Sequence, residues 1–217
     1  MTNYRKSDTQ QERLVLNFLC EKIYPEIYKV IVPEVISAEL QRRGVDVLLP
    51  DGNHDVKAQL KKYINHPTNT FSLEVLFSRS NNSDTIGWFL NSSLLTDYYD
   101  LVWITDADTI GTDNETQLVS SDAIHEAEIV IVKKSTLYDL FKANKIHAKD
   151  ILDMANQMRI NNIRESYIGP FKLVYSSSFI ERPVNIILPK KTYQNLSKIY
   201  IKYDRGRIIT YRDARNN

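Results

Sequence analysis

Within Gly44 to Gln59 (GVDVLLPDGNHDVKAQ), two aspartates and a lysine are spaced so that they can act together. Asp55, Lys57 and Gln59 alternate with Val56, Ala58 and Leu60. In a strand the polar set shares one face and the apolar set turns toward a core. Asp46 lies in the preceding apolar segment, Val45–Leu49. Between them, Pro50-Asp51-Gly52-Asn53 is a turn by composition, since Pro presets its φ and Gly tolerates positive φ. A hairpin built this way brings Asp46 toward the Asp55/Lys57 face. Two carboxylates and an ammonium then converge on one small volume. Mg²⁺ takes oxygen ligands and is commonly held through one or two carboxylates while keeping several waters. Such an ion acidifies a bound water and neutralises charge on a phosphoryl oxygen. A neighbouring lysine can orient or deprotonate that water, or stabilise the developing anion. These are the needs of phosphodiester hydrolysis. The plainer alternative is a surface hairpin with a solvated Asp/Lys ladder, which adds little stability. It accounts less well for charges set inside an apolar alternation.

The surrounding elements must position that hairpin. A helix is expected from about Ser7 to Tyr24, capped by Ser7 or Asp8, with Leu14, Val15, Phe18, Leu19 and Ile23 on its buried face. Pro25 and Pro33 disfavour its continuation, so 25–36 reads as a connector or short irregular strand. Thr70–Phe77 alternates as a third strand, with Phe71, Leu73, Val75 and Phe77 on one face and Glu74 on the polar one. Further strands are expected at Leu101–Ile104 and Ala127–Val132, with apolar segments at 171–175 and 184–188. Helices are expected near 135–143 and 147–158, and one starts near Pro189. This order indicates an α/β chain, an α+β arrangement with a mixed sheet.

An acid on one strand, then acid-any-lysine on the next after a leading helix, resembles the PD-(D/E)XK nuclease superfamily. That superfamily includes many restriction endonucleases, resolvases and repair nucleases. Here the residues are Asp46, then Asp55-Val56-Lys57, with Gln59 two positions beyond the lysine and Gly44 two before the first acid. The proline that nominally precedes the first acid is replaced by Val45. The resemblance covers roughly residues 7–104. It implies a restriction-endonuclease-like core over 1–104 and a mixed α/β accessory region over 105–217 that can also complete the same domain. It implies that Asp46, Asp55 and the carbonyl of Val56 hold Mg²⁺, for which Mn²⁺ can substitute. Lys57 would position or activate the attacking water, Gln59 would order the site, and Glu74 would be a further ligand or a support behind the ligands. Some members add a glutamate from the first helix; Glu12, Glu21 and Glu39 are all open for that role. The implied substrate is DNA, and a homodimer would let two copies of one site cut two strands.

Other chemistries are excluded more simply. The four histidines show no HExxH spacing, and six glycines form no phosphate loop. Ser176-Ser177-Ser178 lacks a GxSxG context. Asp106 to Gln117 begins like a calcium loop but puts Ile110 and Gln117 where ligands are needed. His54 faces away from Asp55 and reads as a surface residue. The single cysteine, Cys20, sits among apolar residues and excludes an internal disulfide.

The net charge is +1, so nucleic-acid binding must come from local patches. Asp97–Asp150 carries eleven acids against five lysines, and Pro183–Asn217 carries eight basic residues against two acids. In the basic tail Lys190, Lys191, Arg205 and Arg207 are candidate nucleic-acid contacts, with tyrosines interleaved for stacking. The polar N-terminus lacks a secretory stretch, and no apolar run approaches the ~20 residues that span a bilayer. A cytoplasmic protein without membrane contact is expected. The chief alternative to a nuclease is a non-catalytic nucleic-acid- or protein-binding module on the same fold. A metal-dependent enzyme acting on nucleotides or another small phosphate is the third reading.

Overall fold

The computed structural model describes residues 3–31, 37–79, 83–112 and 115–213. Part of the connector expected at 25–36, part of the loop at 78–84, and Arg215 lie outside them. The chain is α/β with a mixed sheet. It forms two compact units, one of residues 1–68, 95–134 and 194–217, the other of 69–94 and 135–193. The boundaries therefore do not fall at residue 104. Strands from beyond that point complete the sheet that carries the hairpin.

In chain order the helices are α1 (Asn3–Phe18), α2 (Tyr24–Tyr28), α3 (Ala38–Arg42), α4 (Lys134–Ala143), α5 (Ala148–Ile160) and α6 (Lys190–Leu196). The first strands are β1 (Val47–Leu49), β2 (Gly52–Ala58), β3 (Thr70–Ser78), β4 (Asp84–Ile86) and β5 (Tyr98–Ala107). A small hairpin, β6 (Thr109–Ile110) and β7 (Gln117–Leu118), follows in the acidic stretch. The rest are β8 (Ile124–Lys133), β9 (Glu165–Ile168), β10 (Phe171–Tyr175), β11 (Val184–Pro189), β12 (Ile199–Asp204) and β13 (Arg207–Asp213).

The first unit holds a six-stranded sheet in the order β1-β2-β5-β8-β12-β13. Only β2 and β5 run parallel; every other neighbouring pair is antiparallel. A parallel pair needs a long connection, and here the chain between β2 and β5 carries β3 and β4 of the other unit. Val15 and Phe18 of α1, with Leu19 immediately after it, lie on the sheet at helical spacing. They meet Val47, Val102, Ile104, Ile129, Ile131, Ile199 and Ile201, which alternate along the strands. Cys20 and Val56 pack at the edge of this core.

The first helix starts earlier than expected, at Asn3, so Ser7 and Asp8 lie within it rather than capping it. It also does not stop at Pro25. A π turn over Leu19–Ile23 leads directly into α2, where Pro25 occupies the first turn. Proline is tolerated there because that amide has no helical partner. The helix ends at Lys29, whose φ of 56° is left-handed and whose N–H closes on the Pro25 carbonyl.

The second unit holds a five-stranded antiparallel sheet, β4-β3-β11-β10-β9. The strand expected at 70–77 is therefore present as β3, but its sheet partners are β4 and β11. Phe89, Tyr138, Phe141 and Phe171 form an aromatic cluster in this unit, with ring centroids 4.5 to 5.6 Å apart between neighbours. Arg159 is buried, with an ion pair to Asp84 at 2.8 Å and a hydrogen bond to the Ser78 hydroxyl.

Phe18 is fully buried and meets the Tyr203 ring edge-on at 5.0 Å. Phe18→Ala is expected to cost about 3–5 kcal/mol of stability through lost burial and a cavity. The shift of the urea midpoint measures it.

Candidate functional site

The β1–β2 hairpin turns through Pro50 and Asp51, with Leu49 paired to Gly52. Gly52 has φ of +147°, and a Cβ there would sit 2.8 Å from an Asp97 carboxylate oxygen. Only glycine fits both conditions. The Asp97 carboxylate accepts from the Asn53 N–H at 3.0 Å, and the Asp97 N–H donates to the Asn53 carbonyl at 2.9 Å. The start of β2 is thus tied to the residue before β5.

Asp46 immediately precedes β1 and grips β2 twice. Its N–H donates to the His54 carbonyl at 2.9 Å, and its Oδ2 accepts from the Val56 N–H at 2.9 Å. The hairpin therefore brings Asp46 to the Asp55/Lys57 face, as the alternation predicts. Asp55 is 2% exposed, and the Lys57 ammonium lies 2.6 Å from its Oδ1. Burial pushes the Asp55 carboxyl up to about 7; Lys57 opposes this, and the Asp46 carboxylate adds to it. Burial would lower the Lys57 amine. The charges of Asp55, Asp46 and Glu12 outweigh burial and hold it above its usual range. Glu12, on α1, thus acts electrostatically on the site.

Lys134, at the start of α4, also acts on the site. It is 9% exposed, and its N–H donates to the Asp97 carbonyl at 2.8 Å. Burial lowers its amine pKa, against Asp55 and Asp97, which raise it. No local motif announces it, because it reaches the site only through β8 lying beside β5.

The other expected residues are placed differently. Gln59 follows β2 and uses both ends of its amide on Thr68: Nε2 donates to the hydroxyl and Oε1 accepts from the N–H, each at 2.9 Å. Glu74 stands on β3, in the five-stranded sheet of the other unit. Lys190 and Lys191 open α6 in the second unit, whereas Arg205 and Arg207 are exposed in the β12–β13 turn of the first. The four do not belong to one unit.

His54 is not a surface residue: it is fully buried. Its Nδ1 is 2.8 Å from Asp100 Oδ1 and its Nε2 is 3.0 Å from Asp51 Oδ1. Asp100 Oδ2 accepts from the Tyr24 hydroxyl at 2.6 Å. Asp51 Oδ2 accepts from Lys198 at 2.7 Å and from the Tyr28 hydroxyl at 3.0 Å. The ring stacks on Tyr98 at 4.7 Å, and the Lys198 ammonium sits over that same tyrosine at 4.5 Å. Burial works against a charged ring, but Asp100 and Asp51 more than reverse it and hold the His54 pKa at about 9. Asp51, raised by its own burial, is brought well below the usual carboxylate range by His54 and Lys198.

Among the described residues, no three His, Cys, Asp or Glu side chains gather as a metal-binding group. Two carboxylates do converge. No helix of the described residues is long and apolar enough to cross a membrane. No protein-family model matches the chain, and no curated protein or solved structure gives a match.

An unfolded histidine titrates near 6.5. Folded His54 holds its proton more tightly, so its stabilisation is complete below about pH 6.5 and is lost as the pH rises to about 9. The melting temperature is expected to fall over that window, and His54→Gln to show a flatter slope across it.

Proposed function

We propose that the protein is a metal-dependent nuclease that hydrolyses DNA phosphodiesters at the Asp46–Asp55–Lys57 face of the hairpin. One observation carries this reading: Asp46 and the buried Asp55 are neighbours on one strand pair, with the Lys57 ammonium 2.6 Å from Asp55. The donor set fits a hard dication. It consists of oxygen ligands on two neighbouring carboxylates, of which Asp55 contacts the Lys57 ammonium directly. Asp46 and Asp55, with the Val56 carbonyl, would hold Mg²⁺ or Mn²⁺, two carboxylates being within the usual number for Mg²⁺. The bound ion would supply a more acidic water and neutralise phosphoryl charge.

The chain's own residues do the rest. The Val56 N–H fixes one oxygen of Asp46 and so orients its carboxylate. Lys57 supplies a fixed ammonium beside the carboxylates, suited to orient a water and to stabilise charge developing on the phosphate. Gln59 holds the segment that follows β2 through Thr68. Glu74 is left outside this reading because it stands on the other sheet. Arg205 and Arg207, exposed in the unit that carries the hairpin, would contact the phosphate backbone. A homodimer would place two such sites on two strands.

The Asp55–Lys57 contact also favours a second reading. An ion pair already made at 2.6 Å is what a non-catalytic binding module would keep as structure. Cleavage separates the two. Supercoiled plasmid and single-stranded DNA should be cut with Mg²⁺ or Mn²⁺, and Asp55→Asn and Lys57→Met should each reduce the rate about 100-fold or more. Absence of cutting by the wild type, or equal cutting by folded variants, gives the second reading.

Metal binding should also depend on pH. A ligating carboxylate must first lose its proton, and Asp55 titrates at about 7. Mn²⁺ affinity, read by electron paramagnetic resonance, is expected to rise from pH 6 to pH 8. In Asp55→Asn that rise should be lost.

A further inference from the structure

We infer that the buried Asp51–His54–Asp100 network, with Lys198, is the positioning device of the candidate metal site; this rests on the nuclease reading above. It would hold the Asp55–Val56 ligand pair in place from the opposite face of β2.

Side chains alternate along a strand. His54 points to the α1 side of the sheet, where its ring partners lie, and Asp55 points the other way. The two residues share a peptide bond, so whatever fixes one backbone position fixes the other. The site needs such fixing. It lies at the edge of the sheet, where β1 is a strand of three residues and Leu48 is 51% exposed. Short edge strands with few buried contacts open most readily.

The network ties this edge to three other places. Asp51 is in the hairpin turn itself. Asp100 is in β5, Tyr24 and Tyr28 are in α2, and Lys198 leads into β12, 147 residues from Asp51. Both ring nitrogens face carboxylates, which only accept hydrogen bonds. Both nitrogens must therefore donate, so the ring has a defined orientation and no spare site. The second oxygen of each aspartate is also taken. A fully engaged, fully buried ring cannot touch a substrate or pass a proton to one. Nor does stability alone call for it, since buried ionic groups can often be replaced by apolar ones without loss. What such a network does supply is a fixed register and orientation for the strand.

The test is Mn²⁺ binding to the full chain, measured by electron paramagnetic resonance, alongside cleavage kinetics. Folding of each variant is checked by circular dichroism. His54→Gln and Lys198→Met should weaken Mn²⁺ binding about tenfold or more, as loss of supports behind metal ligands does. Lys198→Arg keeps the cation at Asp51 and should rescue most of that affinity. The kcat should fall in the first two variants with little change in KM for DNA. Lys198→Met keeps the test alive if His54→Gln does not fold, because Lys198 lies at the more solvent-facing end of the network. Wild-type Mn²⁺ affinity in folded His54→Gln or Lys198→Met overturns the inference and leaves the nuclease reading standing. Failure of the wild type to bind Mn²⁺ at all overturns the nuclease reading, and this inference with it.

Discussion

A charged imidazole buried away from solvent must be satisfied by the groups packed around it. His54 imposes that constraint on the first unit. Its two nitrogens need two anions, and those anions need partners in turn. The solution draws in the hairpin turn, β5, the end of the long helix and the residue before β12. Burial of apolar side chains drives the unit together. It rules out a one-residue slip, which would turn the apolar set outward, but it tolerates a slip of two residues. Directional contacts between fully buried charges do not.

The same strand serves two environments. On one face of β2, a charge is buried among carboxylates that neutralise it. On the other, two carboxylates crowd together with a lysine. Burial and the neighbouring acid raise Asp55, while Lys57 restrains the rise. A strand made only to fill a core would carry none of these groups. Asp46 fastens the hairpin to β2 twice, its N–H donating to the His54 carbonyl and its carboxylate accepting from the Val56 N–H.

Much of this hairpin was legible in the sequence because its signals are local. Alternation sorted Asp55 and Lys57 from Val56 and Ala58, and Pro-Asp-Gly marked the turn between Asp46 and Asp55. His54 was misread because only Asp51 among its partners is nearby in sequence. Asp100 is 46 residues away, and the lysine that holds Asp51 is 147 residues from it. Glu74 shows the same limit at the level of sheets. Its alternation correctly marked a strand, but alternation does not name the strand's neighbours, and β2 pairs with β5 across a long insertion. Pro25 misled for a different reason. Proline breaks the interior of a helix and is accepted in a first turn, and the π turn before it created a new first turn.

The first unit is assembled from three separate stretches of chain, and the last of them brings Lys198 and the two final strands of its sheet. During synthesis the hairpin emerges early, while Lys198 emerges only after the whole of the second unit has been made. Until then Asp51 lacks its lysine and β8 lacks its neighbour β12. A growing chain therefore carries the acidic hairpin without the parts that fix it, and the His54 network closes only after the second unit has been made.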